Sequence, residues 1–230
     1  MTGHGVWGNV HEAAEGLPGP DVLRLRCQAI AMLDAVVCPE SSHRYYKYRK
    51  DNGLASMDNG SGDYFNIAFT QAGALVYGFD HESDMSPWVQ DDQSVWPGVL
   101  DAVPDAFAEQ LAEPLLAGAG EFDPPLVTFC LWRLHTDDRW HAGEIEFPPL
   151  FGTQTDPDGS GMLQILGGGP EAYVSWAASY YESRPPIDPE AVASVYAHEP
   201  LDQRTVTRLS PGRELDSVLG DAEAIGFPLA

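Results

Sequence analysis

The stretch from His43 to Phe79 constrains the fold more than any other part of the chain. Four runs rich in aromatic and aliphatic residues follow one another there, separated by short polar turns. HRYYKYRK (43–50) and LASMD (54–58) are joined by Asp51-Asn52-Gly53. DYFNIAFT (63–70) places Phe65, Ile67 and Phe69 on one face, the period of two that a half-buried strand requires. The second and third runs are linked by DNGSGD (58–63), whose glycines accept positive φ cheaply. Gln71-Ala72-Gly73 then turns the chain into ALVYGF (74–79). Connections this short join antiparallel neighbours, so the pattern predicts a β meander.

LVTFCLW (126–132) is a continuous apolar run and reads as a fifth strand covered on both faces. Residues 20–38 read as a helix: Val22, Leu25, Ala29, Leu33 and Val36 recur at helical spacing and Pro39 stops it. Pro104 opens a short helix with Phe107 and Leu111 inward. The C-terminal third is helical in pattern. Tyr173, Trp176 and Tyr180 share a face, and Gly167-Gly168-Gly169 is read as the turn before that helix. Asp188-Pro189 and Ser210-Pro211 carry N-cap signals, and Gly226 with Pro228 closes the last helix. Strands first and helices afterwards make an α+β order. The expectation is one α+β domain over 1–230, an antiparallel meander of about five strands with an N-terminal helix and a helical C-terminal third. Its β-rich part spans about 43–150 and its helical part about 157–228.

Charge narrows function. The chain carries 12 Lys and Arg against 35 Asp and Glu, a formal −23. Such a chain repels phosphates and anionic membrane surfaces, so neither nucleic acid nor membrane is an expected partner. Four of the 12 basic residues sit in HRYYKYRK, where internal pairing with carboxylates is expected. No apolar run approaches the roughly 18 residues a bilayer demands, and the first 16 residues carry neither Lys nor Arg nor an apolar core, so no secretory signal is expected. Cys27 and Cys38, on one predicted helix, lie roughly 16 Å apart by helical rise, beyond disulfide reach. Cys130 lies inside the apolar run of the fifth strand and reads as a buried thiol. Reduced cysteines fit a cytoplasmic location.

The loop that leaves the fourth strand reads GFDHESDMSP (78–87) and concentrates ionisable side chains. Together with the DNGSGD turn it supplies the candidate ligand-binding residues Ser61, Asp63, Asp80, His81 and Glu82. In extended backbone His81 would face away from Asp80 and Glu82, so no metal and no cofactor is expected. A metal would need further donors, His135 and His141 beside Asp137 and Asp138 being the nearest by type. Two carboxylates flanking a histidine require donors around them. Asp80 or Glu82 is therefore expected to accept hydrogen bonds from backbone amides or from Arg44 or Arg133, with His81 held protonated. His11 and Glu15 stand at i, i+4 but lack the second histidine of a zinc-protease helix. No phosphate-binding loop, dinucleotide fingerprint or nucleophile elbow is present, and no catalytic residue is assigned.

At NGSGD, GFDHESDMSP, WPGVLDAVP, TFCLWR and IEFP, from about residue 43 to the closing AIGFP, the chain resembles a family of soluble bacterial proteins with no established activity. The resemblance implies a bacterial cytoplasmic α+β protein and transfers no catalytic residue. Two functions are compatible with the whole pattern. The first is a binding protein, of immunity type or an accessory factor, that docks on a basic protein partner. The second is a small-molecule enzyme or ligand binder with its site between the DNGSGD turn and the DHES loop.

Overall fold

In the computed structural model, which describes residues 7–112, 126–150, 152, 154–181 and 186–230, the alternating runs become strands. They are β1 (Tyr46–Arg49), β2 (Leu54–Asp58), β3 (Tyr64–Phe69), β4 (Gly73–Phe79) and β5 (Phe129–Leu134), ordered β1-β2-β3-β4-β5 in one sheet. The β1–β2, β3–β4 and β4–β5 pairs are antiparallel. Helices α1 (Val10–Gly16) and α2 (Pro20–Val37) precede the sheet and α3 (Ala108–Ala112) interrupts it. Helices α4 (Gln164–Gly167), α5 (Pro170–Tyr180), α6 (Pro189–Tyr196), α7 (Gln203–Leu209) and α8 (Leu219–Ile225) follow. The chain is an α+β protein.

Two compact units divide the chain: Met1–Pro20 with Asp58–Gln164, and Asp21–Met57 with Ile165–Ala230. The first holds β3, β4 and β5. Every residue of β4 is buried, which explains its lack of alternation. Around it, Leu75, Tyr77, Met85, Val99, Phe107 and Cys130 form a core cluster. Gly78 is required by packing: a Cβ there would lie 2.2 Å from the Phe129 ring across the β4–β5 pair. The fifth strand starts later than the apolar run suggests. Leu126, Val127 and Thr128 are buried, but they lead into β5 as loop, and the Thr128 hydroxyl bridges other backbone groups. The prolyl signal at Pro104 produces a 3-10 turn, Asp105–Phe107, before α3, with Phe107 fully buried.

In the second unit, α2 corrects the expected helical face. Val22 and Leu25 are each 47% exposed, whereas Leu23, Cys27 and Ile30 are buried. From Ala29 to Val37 every residue of α2 is buried. A helix apolar on all sides there leaves its stripe ambiguous at 3.6 residues per turn, and packing selects the one through Leu23. Strand β1 does alternate: Tyr46 and Tyr48 are buried, Lys47 and Arg49 exposed. Asp188 caps α6 as its sequence predicts, accepting from the Glu190 and Ala191 amides. Ser210-Pro211 does not open a helix. Ser210 ends α7, Gly212 at φ 85° continues the turn, and a 3-10 segment, Leu215–Val218, leads into α8. Proline just after a helix end stops it as readily as proline inside the first turn starts one. Gly226, at φ 77°, closes α8. No described helix is long and apolar enough to cross a membrane.

Candidate functional site

The β3–β4 register builds the candidate site. Tyr64 faces Phe79, so the residues just before β3 lie beside those just after β4. That places Asp63 against His81. One carboxylate oxygen, Oδ1, takes both the His81 amide at 3.0 Å and Nδ1 of the ring at 2.6 Å. The other accepts from the Asn59 side chain at 2.5 Å. Gly62, at φ 113°, lets the turn pass beneath the imidazole, where a Cβ would meet the ring at 3.4 Å.

Asp80 turns the chain the other way. Its Oδ1 accepts from the Glu82 amide, and its own amide donates to the Thr128 hydroxyl. Its Cβ packs on Gly159, whose φ of 82° belongs to the loop DPDGSG (156–161). That loop is wound around its own carboxylates. Asp156 accepts from the Asp158, Gly159 and Gly161 amides. Asp158, fully buried, accepts from the Val10 and Ser160 amides. The Thr128 hydroxyl donates to the Asp158 carbonyl, and Ser83 to the carbonyl of Pro157. The DHES segment is thus stitched to β3, to the approach of β5 and to the 156–161 loop.

The electrostatics follow from this geometry. Hydrogen bonding to Asp63 raises the His81 pKa above its ordinary value, against slight desolvation. Partial burial raises the Asp63 carboxyl, but bonds from His81 and Asn59 outweigh it and hold the pKa low. Both shifts favour the imidazolium–carboxylate form of the pair. Asp80 is raised, by burial first and then by the charges of Asp63 and Asp156. Burial and the neighbouring Asp156 push Asp158 up to about 7.

Among the described residues, Asp63, Asp80 and His81 form the one group of three donors whose atoms fall within 4.8 Å of one another. The structure thus brings together three of the five expected residues. Ser61 is exposed in its turn, its amide bound to Asn59, and Glu82 is exposed as well. His141 pairs instead with Asp137 at 3.6 Å. The expected basic donors are engaged elsewhere: Arg44 pairs with Asp221, and Arg133 donates to the Asp137 carbonyl. Among the described residues the Asp80 carboxylate accepts from a backbone amide, that of Glu82, and from no basic side chain. Asn59, Thr128, Asp156 and Asp158 were not singled out from sequence. The signal was present in DPDGSG, which repeats the Asp-and-Gly turn chemistry of DNGSGD.

Charge is divided unevenly between the units. The one holding β3, β4 and β5, called the meander unit below, carries 21 of the 35 acidic residues and only two basic ones, Arg133 and Arg139. The other carries 14 acidic and 10 basic residues. No protein-family model matches the chain, and no curated protein or solved structure matches it either.

Proposed function

We propose that the chain is a non-catalytic binding protein, of immunity type or an accessory factor, whose meander unit docks on a basic protein partner in the cytoplasm. The observation that carries this reading is the concentration of charge, 21 carboxylates against two arginines in a single compact unit. A field of one sign over one surface steers an oppositely charged partner and repels nucleic acid. The buried cysteines, none of them in a disulfide, are in keeping with a reducing compartment. Immobilised protein in a bacterial lysate is expected to retain proteins of basic isoelectric point at low salt and release them as salt screens the field. Retention of nothing at low salt, or retention indifferent to salt, would overturn the reading.

A second reading is favoured by the convergence of Asp63, Asp80 and His81. There the same corner binds a small ligand, through the imidazolium edge or in place of its proton. A ligand bound only by the native state raises the melting temperature. A thermal-shift panel of divalent cations and small anions tests it. A shift that Asp80→Asn abolishes supports it, and a flat panel removes it.

A further inference from the structure

We infer that the partner's contact is an arginine- or lysine-bearing peptide segment, seated in an open cleft of about 1070 Å³ in the meander unit. The inference rests on the docking reading above and gives it an address. The cleft lies between the turn at 96–102 and the segment 142–149. Trp96 and Phe147 provide aromatic walls, and Asp101, Glu144 and Glu146 provide three carboxylates. Among the described residues, no lysine, arginine or histidine lines it. Both arginines of the unit line a neighbouring hollow instead, beside Glu15 and Asp138. The three carboxylates of the cleft are exposed, and among the described residues none of them is in an ion pair, although the His11 ring packs edge-on against Phe147.

The cleft is also built rather than incidental. Gly98 and Gly143 bring its two sides into backbone contact. A Cβ on Gly98 would lie 2.1 Å from the Glu144 carbonyl oxygen, and one on Gly143 would lie 1.8 Å from that of Gly98. The Gly98 amide donates to Asp101 at 2.8 Å, and the Trp96 indole N–H donates to the Glu146 carbonyl at 3.0 Å. Ile145 and Phe147 pack on the core cluster, while Glu144 and Glu146, alternating with them, stay exposed. Walls fixed in advance lower the ordering cost of binding.

The chemistry selects the occupant. A nucleic-acid strand would meet three carboxylates and no donor cation. A metal ion needs convergent ligands, and these carboxylates are not among the groups whose atoms gather within 4.8 Å among the described residues. Long side chains with a terminal cation fit spaced carboxylates between aromatic walls. A guanidinium fits best, because its planar face stacks on Trp or Phe while its edge pairs with a carboxylate.

The test uses the full chain and a fluorescein-labelled hexa-arginine peptide, read by anisotropy at low salt. Glu144→Gln with Glu146→Gln, and the same pair with Asp101→Asn added, are expected to weaken binding by about tenfold or more. A control triple of equal charge change, Asp58→Asn, Glu109→Gln and Asp138→Asn, is expected to weaken it by less than about threefold, since exposed charges that do not line the cleft act only through a screened field. Trp96→Leu is expected to cost several-fold for hexa-arginine and less for hexalysine. Melting curves of each variant confirm folding, and the double variant spares the Asp101 bond to the turn. Equal losses in the cleft and control variants would overturn the cleft as the seat while leaving the acidic docking reading standing. No binding of either peptide by the wild type would overturn both.

Discussion

Asp63 determines the protonation state of its neighbour, and that dependence can be measured. In Asp63→Asn the His81 ring loses its charged acceptor, so its pKa is expected to fall toward the ordinary value, followed by NMR titration of the ring proton. The sign of its effect on stability is set by the direction of the two shifts. The raised imidazole contributes below about 6.5 and its contribution is lost as pH rises through the folded value. The lowered carboxylate contributes above about 3.9 and its share is lost as pH falls. Asp34, on α2 in the other unit, behaves differently. It is fully buried, accepts from the Tyr46 amide at 3.0 Å and the Tyr173 hydroxyl at 2.9 Å, and is pushed by burial up to about 6. Folding there takes up a proton, so its contribution declines as pH rises through about 6. Asp34→Ala leaves both donors unsatisfied and is expected to cost about 2 to 4 kcal/mol in urea unfolding at neutral pH, with Asp34→Asn costing less. At this scale the sequence was legible for residue type and blind to pairing. Asp63 and His81 stood out by chemistry, but which carboxylate holds the ring follows from the β3–β4 register. The roles of Thr128 and Asp158 depend on contacts 48 and 30 residues apart in the chain, which no local pattern encodes.

Strand β4 is the element on which the meander unit turns, and Gly78 is one of its tight points. Gly78→Ala is expected to destabilise the fold by about 1 to 3 kcal/mol, because the Phe129 ring must move or the β4–β5 pair must open. Urea unfolding of the variant checks this, and an unchanged midpoint would mean that the ring yields at no cost. For α6, Asp188 serves twice, as N-cap and as the partner of Arg208 at 2.8 Å. Asp188→Ala is expected to cost about 1 to 2 kcal/mol, mostly from the cap, since an exposed ion pair contributes little. Elements with a periodic pattern and a chemically specific end were readable: β3 from its alternation, α6 from Asp-Pro, α8 from Gly226. Those with a uniform apolar run were readable as elements but not as faces. The stripe of α2 and the start of β5 were decided by tertiary packing, and Ser210-Pro211 by the helix that ends there.

At the scale of the whole molecule, self-repulsion among charges summing to −23 opposes the folded state. Added salt at neutral pH is therefore expected to raise the melting temperature by screening it, and a melting temperature that falls with salt would mean that paired charges dominate instead. The α+β order was visible in the chain because strands and helices are segregated along it. The division into units was not visible: the first two strands belong with the C-terminal helices, and residues far apart in sequence share each unit. The free thiols turn that division into something measurable. Cys27 lies in one unit and Cys130 in the other, both buried and both pushed by burial far above the ordinary thiol range. Neither meets an alkylating reagent readily until its own surroundings open, so each labelling rate reports a local opening equilibrium. Mass spectrometry of the two peptides would give two clocks in one experiment. Matching rates mean that the halves of the molecule let go together, and unequal rates show which of them lets go first.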